Sequence, residues 1–125
     1  MADTILLTEV AAEIRAAYGL LLRRAGYHVI TAADRASGLQ CAVNHLPDLV
    51  VINLRDDEGP RMCLELHADP RTSHIPVLLM SAALYPNAAA AAAVGADDYL
   101  AKPLPNAELL VHVRGLLQQN AELCG

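Results

Sequence analysis

Five short apolar runs, separated by longer amphipathic stretches, are the feature that most limits how this chain can fold. The runs cover residues 4–8, 27–32, 48–53, 75–81 and 97–101, and each has the length of a strand. Runs that are apolar on both faces are typical of strands in a parallel sheet with helices on its two sides. The pattern therefore predicts an α/β fold built around a five-stranded parallel sheet.

The amphipathic stretches predict five helices, at residues 11–25, 34–45, 60–68, 87–94 and 106–119. Asp34 is the N-cap candidate of the second helix, and Gly26 is placed to end the first. The fourth helix would contain six consecutive alanines, which favour helix but provide few anchoring side chains. The first and last helices are expected to turn these residues inward: Ile14, Tyr18, Leu21 and Leu22, and Leu109, Leu110, Val113, Leu116 and Leu117.

Length and charge limit the function classes. A chain of 125 residues fits one domain, which we expect to span residues 4–120 with a short C-terminal tail at 121–125. A hydrophobic content of 54% with 18% charged residues is typical of a compact domain rather than a disordered one. A net charge of -5 leaves no basic stripe for a phosphate backbone, so direct nucleic-acid binding is not expected.

Cysteine, histidine and apolar segments give no sign of a metal framework or a membrane segment. Cys41, Cys63 and Cys124 have no CxxC spacing, and the five histidines lack the spacing of metal ligands. No apolar run reaches the roughly 18 residues that cross a bilayer, and Met1-Ala2-Asp3 has no positive leader region. We expect a protein of the cytoplasm that does not enter a membrane.

Polar residues follow four of the predicted strands. Glu9-Val10 comes after the first strand, Asn53 ends the third, Ser81 ends the fourth, and Lys102-Pro103 follows the strand that contains Tyr99. In this order the residues resemble the active site of a response-regulator receiver domain, over residues 4–120. The resemblance implies a three-layer, doubly wound, flavodoxin-like fold with strand order 2-1-3-4-5. The ligand crevice of such a sheet lies beyond strands one and three.

The family resemblance assigns roles that part of this sequence cannot fill. A receiver moves a phosphoryl group from a phosphohistidine onto an aspartate with the help of a divalent cation. Asn53 stands at the phosphoacceptor position and Val10 at the second position of the acidic pair that begins with Glu9. Two of three expected carboxylates are therefore missing, and no cofactor is expected, with magnesium binding weak or absent. The remaining candidates for contact with a cation are Glu9, Asn53 and Arg55.

Other positions of the resemblance are retained. Ser81 matches the hydroxyl that contacts the phosphoryl group, and Tyr99 matches the aromatic residue that reports activation. Lys102 matches the lysine that pairs with phosphate, and Pro103 the proline after it. Since a lysine without a carboxylate beside it would be costly to bury, we predict that Lys102 pairs with Glu9.

These substitutions lead to a hypothesis of function. The chain would be a degenerate receiver, not an enzyme, that acts in signal transduction as a phosphorylation-independent protein-interaction module. Its partner would be a histidine kinase or another regulator. A homodimer through the fourth helix, fifth strand and fifth helix is a further expectation, although His112 stands where transcription-factor receivers usually have an arginine.

Two alternatives remain at this point. In the first, the chain is phosphorylated at a displaced carboxylate, either Glu9 or one of Asp56 and Asp57 in the loop after Asn53. The simpler interpretation of this loop, residues 54–59, is a solvated turn. In the second, the crevice senses a small molecule, because Val10 makes its floor more apolar.

Overall fold

A parallel sheet of five strands forms the centre of the computed structural model, which describes residues 2–81, 93–101 and 106–124. The elements in chain order are β1 (Thr4–Glu9), α1 (Ala12–Arg24), β2 (His28–Ala32), α2 (Arg35–His45), β3 (Leu49–Asn53), α3 (Glu58–Ala68), β4 (Val77–Ser81), β5 (Asp98–Ala101) and α4 (Asn106–Cys124).

The strand order is β2-β1-β3-β4-β5, and every neighbouring pair is parallel. This order and the flavodoxin-like architecture confirm the prediction. β1 lies between β2 and β3, so the chain reverses its direction of winding at β1 and β3. The carboxyl ends of these two strands are in register, with Glu9 opposite Asn53. A crevice is expected at this switch point, because the connections leave the sheet in opposite directions there.

Two apolar clusters cover the two faces of the sheet. On one face, α1 and α4 pack through Leu22, Leu109 and Val113 against alternate strand residues such as Leu7 and Val51. On the other face, α2 and α3 pack through residues that include Ala42, Met62 and Leu66 against Leu6, Val50 and Ile52. Because side chains alternate between the faces of a strand, each continuous apolar run supplies both clusters.

One glycine permits a close approach of α2 to the sheet. A Cβ atom at Gly38 would lie 2.5 Å from Cγ2 of Thr8 and 2.8 Å from Cε of Met62. Thr8 is buried in β1, where its hydroxyl donates to the carbonyl of Val51 at 3.1 Å. The helix therefore contacts β1 through its backbone, and any side chain larger than hydrogen at position 38 would have to displace Thr8 or Met62.

The observed helix ends match the ends predicted from the sequence at some positions and differ from them at others. Asp34 accepts a hydrogen bond from the backbone N–H of Ser37 at 2.7 Å, which confirms it as an N-cap. Gly26, with φ of 102°, follows the end of α1 as predicted. The last helix was predicted to end at residue 119 but continues through Cys124, so residues assigned to a tail are helical. α3 begins at Glu58, two residues before Pro60.

The prediction that Ile14 faces inward is wrong. Ile14 is 43% exposed, and none of residues 11–17 is buried, because burial in α1 begins only at Gly19. The first turns of α1 therefore extend past the apolar core.

Four helices lie within the described ranges. Most of the predicted fourth helix falls on residues 82–92, outside them, and Ala93 and Val94 lie in a turn. A total of five helices therefore stays a prediction. Among the described residues, none of the helices combines the length and apolarity that a membrane crossing needs.

Candidate functional site

Glu9 and Asn53 form the centre of the candidate site. Each is the last residue of its strand, and the register of β1 and β3 places the two residues side by side. Both are almost fully buried, Glu9 at 4% and Asn53 at 3% exposure. The side-chain amide Nδ2 of Asn53 donates a hydrogen bond to Oε1 of Glu9. The sequence predicted that both residues lie at the ends of the strands that border the crevice, and the structure adds that their side chains are hydrogen-bonded to each other.

The second carboxylate oxygen of Glu9 is also engaged. Oε2 accepts a hydrogen bond from the backbone N–H of Ala11 at 2.9 Å. Both carboxylate oxygens of Glu9 thus accept hydrogen bonds from the protein, and both donors are uncharged N–H groups. These hydrogen bonds offset part of the cost of burying the carboxylate.

Arg15 holds the turn between β1 and α1 from the helix side. Its Nη1 donates to the backbone carbonyl of Glu9 at 2.8 Å and to that of Val10 at 3.4 Å. The positively charged guanidinium group therefore lies close to Glu9, but it bonds to the backbone carbonyl of this residue and not to its carboxylate. The sequence analysis did not identify this contact, because it depends on how the first turn of α1 lies against the end of β1.

The negative charge of Glu9 affects the pKa of Tyr18 on α1. Burial raises the pKa of the Tyr18 hydroxyl, and the charge of Glu9 raises it further. Tyr18 is partly buried against the core on this face of the sheet. Its neutral hydroxyl is therefore the form present at neutral pH.

Val10 is 37% exposed, whereas Glu9 and Asn53 are almost fully buried. Ile14, four residues further along the chain, is also exposed. The expected effect of Val10 on the polarity of the crevice stays a prediction.

The loop after Asn53 is a solvated turn for most of its length, in agreement with the simpler interpretation. Arg55, Asp56 and Asp57 are exposed, and Asp56 has a positive φ of 51°. Asp57 precedes α3 without making a side-chain cap. Neither aspartate is buried with Glu9 and Asn53.

Glu58 departs from this interpretation, because it begins α3 and forms an ion pair with Arg35 of α2. The distance from Arg35 Nε to Glu58 Oε2 is 2.5 Å, and Nη1 of the same arginine contacts Glu65. This link between α2 and α3 was missed by the sequence analysis. The one indication of this link in the sequence is the spacing of Glu58 and Glu65, which are seven residues apart and therefore lie on one face of the helix.

The remaining predicted site residues are described only in part. Ser81 ends β4 and stands opposite Ala101 in the register of β4 and β5. Tyr99 is partly buried and packs against the cluster on the α2 and α3 face. Lys102 and Pro103 lie outside the described residues, so the ion pair of Lys102 with Glu9 stays a prediction.

Ligands for a metal are sparse at this site. Across residues 2–81, 93–101 and 106–124, no group of three or more His, Cys, Asp or Glu side chains is arranged to hold a metal ion. At the strand ends the described donor set consists of one carboxylate with both oxygens engaged, and an amide whose nitrogen faces that carboxylate.

Comparisons with known proteins point to one family. The sequence profile of the response regulator receiver domain matches residues 5–114. The DNA-binding dual master transcriptional regulator RpaA of Synechocystis sp. is 39% identical over 101 residues, which cover 78% of this chain and 42% of that protein. The phosphate regulon transcriptional regulatory protein PhoB of Pseudomonas aeruginosa is 29% identical over 119 residues, or 93% of this chain and 52% of that protein. The chain thus spans about half the length of these curated relatives.

Solved structures agree with the profile. A response regulator from Chloroflexus aurantiacus superposes with a TM-score of 0.85 at 30% identity, covering 94% of this chain and 99% of that one. The signal receiver domain of a histidine kinase from Syntrophus aciditrophicus superposes with a TM-score of 0.83 at 25% identity, covering 94% and 92%.

Proposed function

The chain belongs to the response regulator receiver domain family of two-component signalling, and from this membership we propose that it is a protein-interaction module whose state does not depend on phosphorylation. The observation that supports the proposal best is the hydrogen bond from Asn53 to Glu9. It leaves an amide, paired with the buried carboxylate, at the strand end where the family resemblance expects the phosphoacceptor.

The chemistry of the amide argues against phosphoryl transfer at position 53. Formation of an acyl phosphate requires a carboxylate oxygen that attacks phosphorus. The carboxamide of Asn53 carries no such oxygen, and its nitrogen is already directed at Glu9. We therefore assign Asn53 a structural role in place of the reactive one, and we do not assign the chain an enzymatic activity.

The same geometry supports weak or absent magnesium binding. Magnesium demands a near-ideal octahedron of oxygen ligands and favours carboxylates. Among the described residues Glu9 is the one carboxylate at these two strand ends, and each of its oxygens already accepts a hydrogen bond, from Asn53 or from Ala11. Val10 offers no side-chain oxygen, and its backbone carbonyl already accepts from Arg15. The residues present do not fit the cation that the family implies.

A displaced phosphoacceptor has less support. Asp56 and Asp57 are exposed carboxylates on a turn, whereas phosphoryl transfer benefits from a carboxylate that is held and partly enclosed by its surroundings. Glu9 is enclosed, but both of its oxygens accept hydrogen bonds. These observations favour the interaction module over the phosphorylated alternative.

The partner in this proposal is another protein of the signalling pathway. A histidine kinase or a second regulator fits the family, and a homodimer through β5 and α4 is the other arrangement to test. A cytoplasmic location remains a prediction from the sequence.

The decisive experiment is incubation with acetyl phosphate and magnesium, followed by intact mass measurement under conditions that preserve acyl phosphates. The unchanged chain should gain no phosphate. The matched control is the double variant Val10→Asp with Asn53→Asp, which restores the two missing carboxylates and should gain one phosphate. A stoichiometric gain by the unchanged chain would contradict the proposal, and peptide mapping would then distinguish Glu9 from Asp56 and Asp57.

A second measurement addresses the interaction itself. The affinity of the chain for a partner that co-purifies with it should be the same with and without phosphodonor. A change in affinity on addition of phosphodonor, reversed in a variant that lacks the modified carboxylate, would restore a phosphorylation-dependent function.

A further inference from the structure

β2 is an edge strand, and two of its residues direct their backbone groups away from the sheet. The strand stands at one end of the strand order, next to β1. The backbone N–H of His28 donates to the carbonyl of Asp3 at 2.9 Å, so the backbone groups of His28 point towards β1. Successive residues of a strand point their backbone groups to opposite sides. The N–H and C=O groups of Val29 and Thr31 therefore point to the outer edge.

The composition of this strand favours pairing with another strand. Residues 27–32 contain no Lys, Arg, Asp or Glu and neither proline nor glycine, and three consecutive residues are β-branched. The side chains of His28 and Thr31 are exposed, so solvent reaches the strand. A short segment of this kind at a sheet edge is a template for a further strand unless some other group covers it.

Arg23, in the last turn of α1, contacts this outer edge. Its Nη2 donates to the backbone carbonyl of Val29 at 3.3 Å. A Cβ atom at Gly19 would lie 3.2 Å from Nη1 of Arg23 and 4.0 Å from Cγ2 of Thr31. The guanidinium group therefore lies beside β2, in space that Gly19 leaves open. Glycine is unfavourable inside a helix, and the room for the guanidinium group gives this one a structural reason.

β2 is complementary to a second copy of itself. If two copies were placed antiparallel about a two-fold axis at Ile30, Val29 of each copy would stand opposite Thr31 of the other. Both residues have outward backbone groups, so each pair could exchange both of its hydrogen bonds. Such an interface would use the same residues on both copies, as two-fold interfaces do. The two sheets would then continue into each other.

We propose that Arg23 closes the edge of β2 against antiparallel pairing with β2 of a second copy. Its bond occupies the carbonyl of Val29, which is an acceptor in both symmetry-related pairs. Its guanidinium group also stands where the next strand, about 4.8 Å from β2, would have to lie. Pairing would bring the two Arg23 charges towards each other as well. The chain therefore associates with itself or with a partner through surfaces other than this edge.

The first test is self-association of Arg23→Ala, measured by sedimentation equilibrium without phosphodonor, so that its outcome is independent of the proposed function. The dissociation constant should be at least about tenfold lower than in the unchanged chain, because one competing hydrogen bond is removed from each copy. Arg24→Ala is the matched control, since Arg24 is the next residue, is exposed, and carries the same charge. This control should associate as the unchanged chain does.

The second test locates the contact by hydrogen exchange and NMR. In Arg23→Ala, the protection of the Val29 and Thr31 amides should rise with protein concentration. It should not do so in the unchanged chain or in Arg24→Ala. The double variant Arg23→Ala with Thr31→Pro should lose the added association, because proline removes an outward N–H that does not bond to β1 and is tolerated at a sheet edge.

Two results would overturn the proposal. One is equal self-association of Arg23→Ala, Arg24→Ala and the unchanged chain. The other is stronger association of Arg23→Ala without added protection of Val29 and Thr31, which would place the contact on another surface. If the double variant fails to fold, the exchange data on Arg23→Ala decide alone. A dimer through β5 and α4 would contribute equally to every variant and leave these differences unchanged.

Discussion

The side-chain amide of Asn53 donates a hydrogen bond to the carboxylate of Glu9 and thereby joins the carboxyl ends of β3 and β1. Both side chains are buried, so neither can exchange this bond for a bond to bulk water. An acceptor or donor that loses its partner in such a place costs more than the bond itself contributes. The pair is therefore expected to matter for the stability of the site whatever the site binds.

Replacing Asn53 with alanine should destabilise the fold by about 1–3 kcal/mol, because Oε1 of Glu9 would lose its donor inside the protein. Urea denaturation at neutral pH measures the change. The control is Asn44→Ala on α2, where the side chain is exposed and bonds only at 3.4 Å to Gln40; there we expect a change within about 0.5 kcal/mol. Equal denaturation midpoints for the two variants would contradict the importance of the pair.

Two of the helical glycines, Gly38 and Gly115, should respond to alanine in opposite directions. Gly38→Ala should destabilise the fold by about 1–3 kcal/mol, because the new Cβ would overlap Thr8 and Met62. At Gly115 of α4 a Cβ would meet nothing within 4 Å. Gly115→Ala should therefore stabilise the fold by about 0.5–1 kcal/mol through helix propensity. Thermal unfolding of both variants tests the packing of α2, and a stable Gly38→Ala protein would show that α2 can move away from β1.

Cys63 should resist alkylation in the folded chain. Burial raises the pKa of its thiol to about 12, with the negative charge of Asp97 as a second cause. Only the thiolate reacts, so iodoacetamide at about pH 8 should modify the partly exposed Cys41 at least about a hundredfold faster than Cys63. Peptide mapping over time measures the two rates, and in denaturant they should become similar. Fast labelling of native Cys63 would mean that the core under α3 opens readily.

Asp34 should make stability depend on pH in the acid range. The hydrogen bond from the backbone N–H of Ser37 lowers the pKa of the Asp34 carboxyl. Its stabilising effect is therefore complete above the ordinary aspartate pKa of about 3.9 and is lost as the pH falls through the lowered value.

Asp34→Asn is the matched variant for this prediction, because asparagine also caps a helix but does not titrate. The melting temperature of the two proteins should differ in its pH dependence below about pH 4, the variant losing less stability on acidification. Parallel curves would exclude the Asp34 cap as a source of acid sensitivity.

Much of the fold could be predicted because it depends on local patterns. Continuous apolar runs indicate buried strands, and Asp34 and Gly26 mark helix ends by their own chemistry. The strand order came from the family resemblance, since periodicity alone does not distinguish one order of parallel strands from another. The inward direction of Ile14 was predicted incorrectly, because periodicity shows which side of a helix is apolar but not how far the core extends along it.

The site was predictable in its location but less so in its bonds. Strand ends placed Glu9 near Asn53, whereas the direct bond between them depends on side-chain geometry across 44 residues. The contacts of Arg35 with Glu58 and Glu65, and of His67 with Gly95, also join residues more than 20 positions apart. Such pairings follow from the packing of helices on the sheet, which a single sequence does not reveal.

The distance in sequence between Glu9 and Asn53 has a consequence for biosynthesis. As the chain leaves the ribosome, β1 and the Ala11 amide appear first, but the second donor for the carboxylate arrives only after β2 and both intervening helices have been made. Until β3 docks beside β1, Glu9 must stay hydrated. In a nascent chain the burial of Glu9 therefore waits for β3, and it marks the moment at which the two central strands have joined.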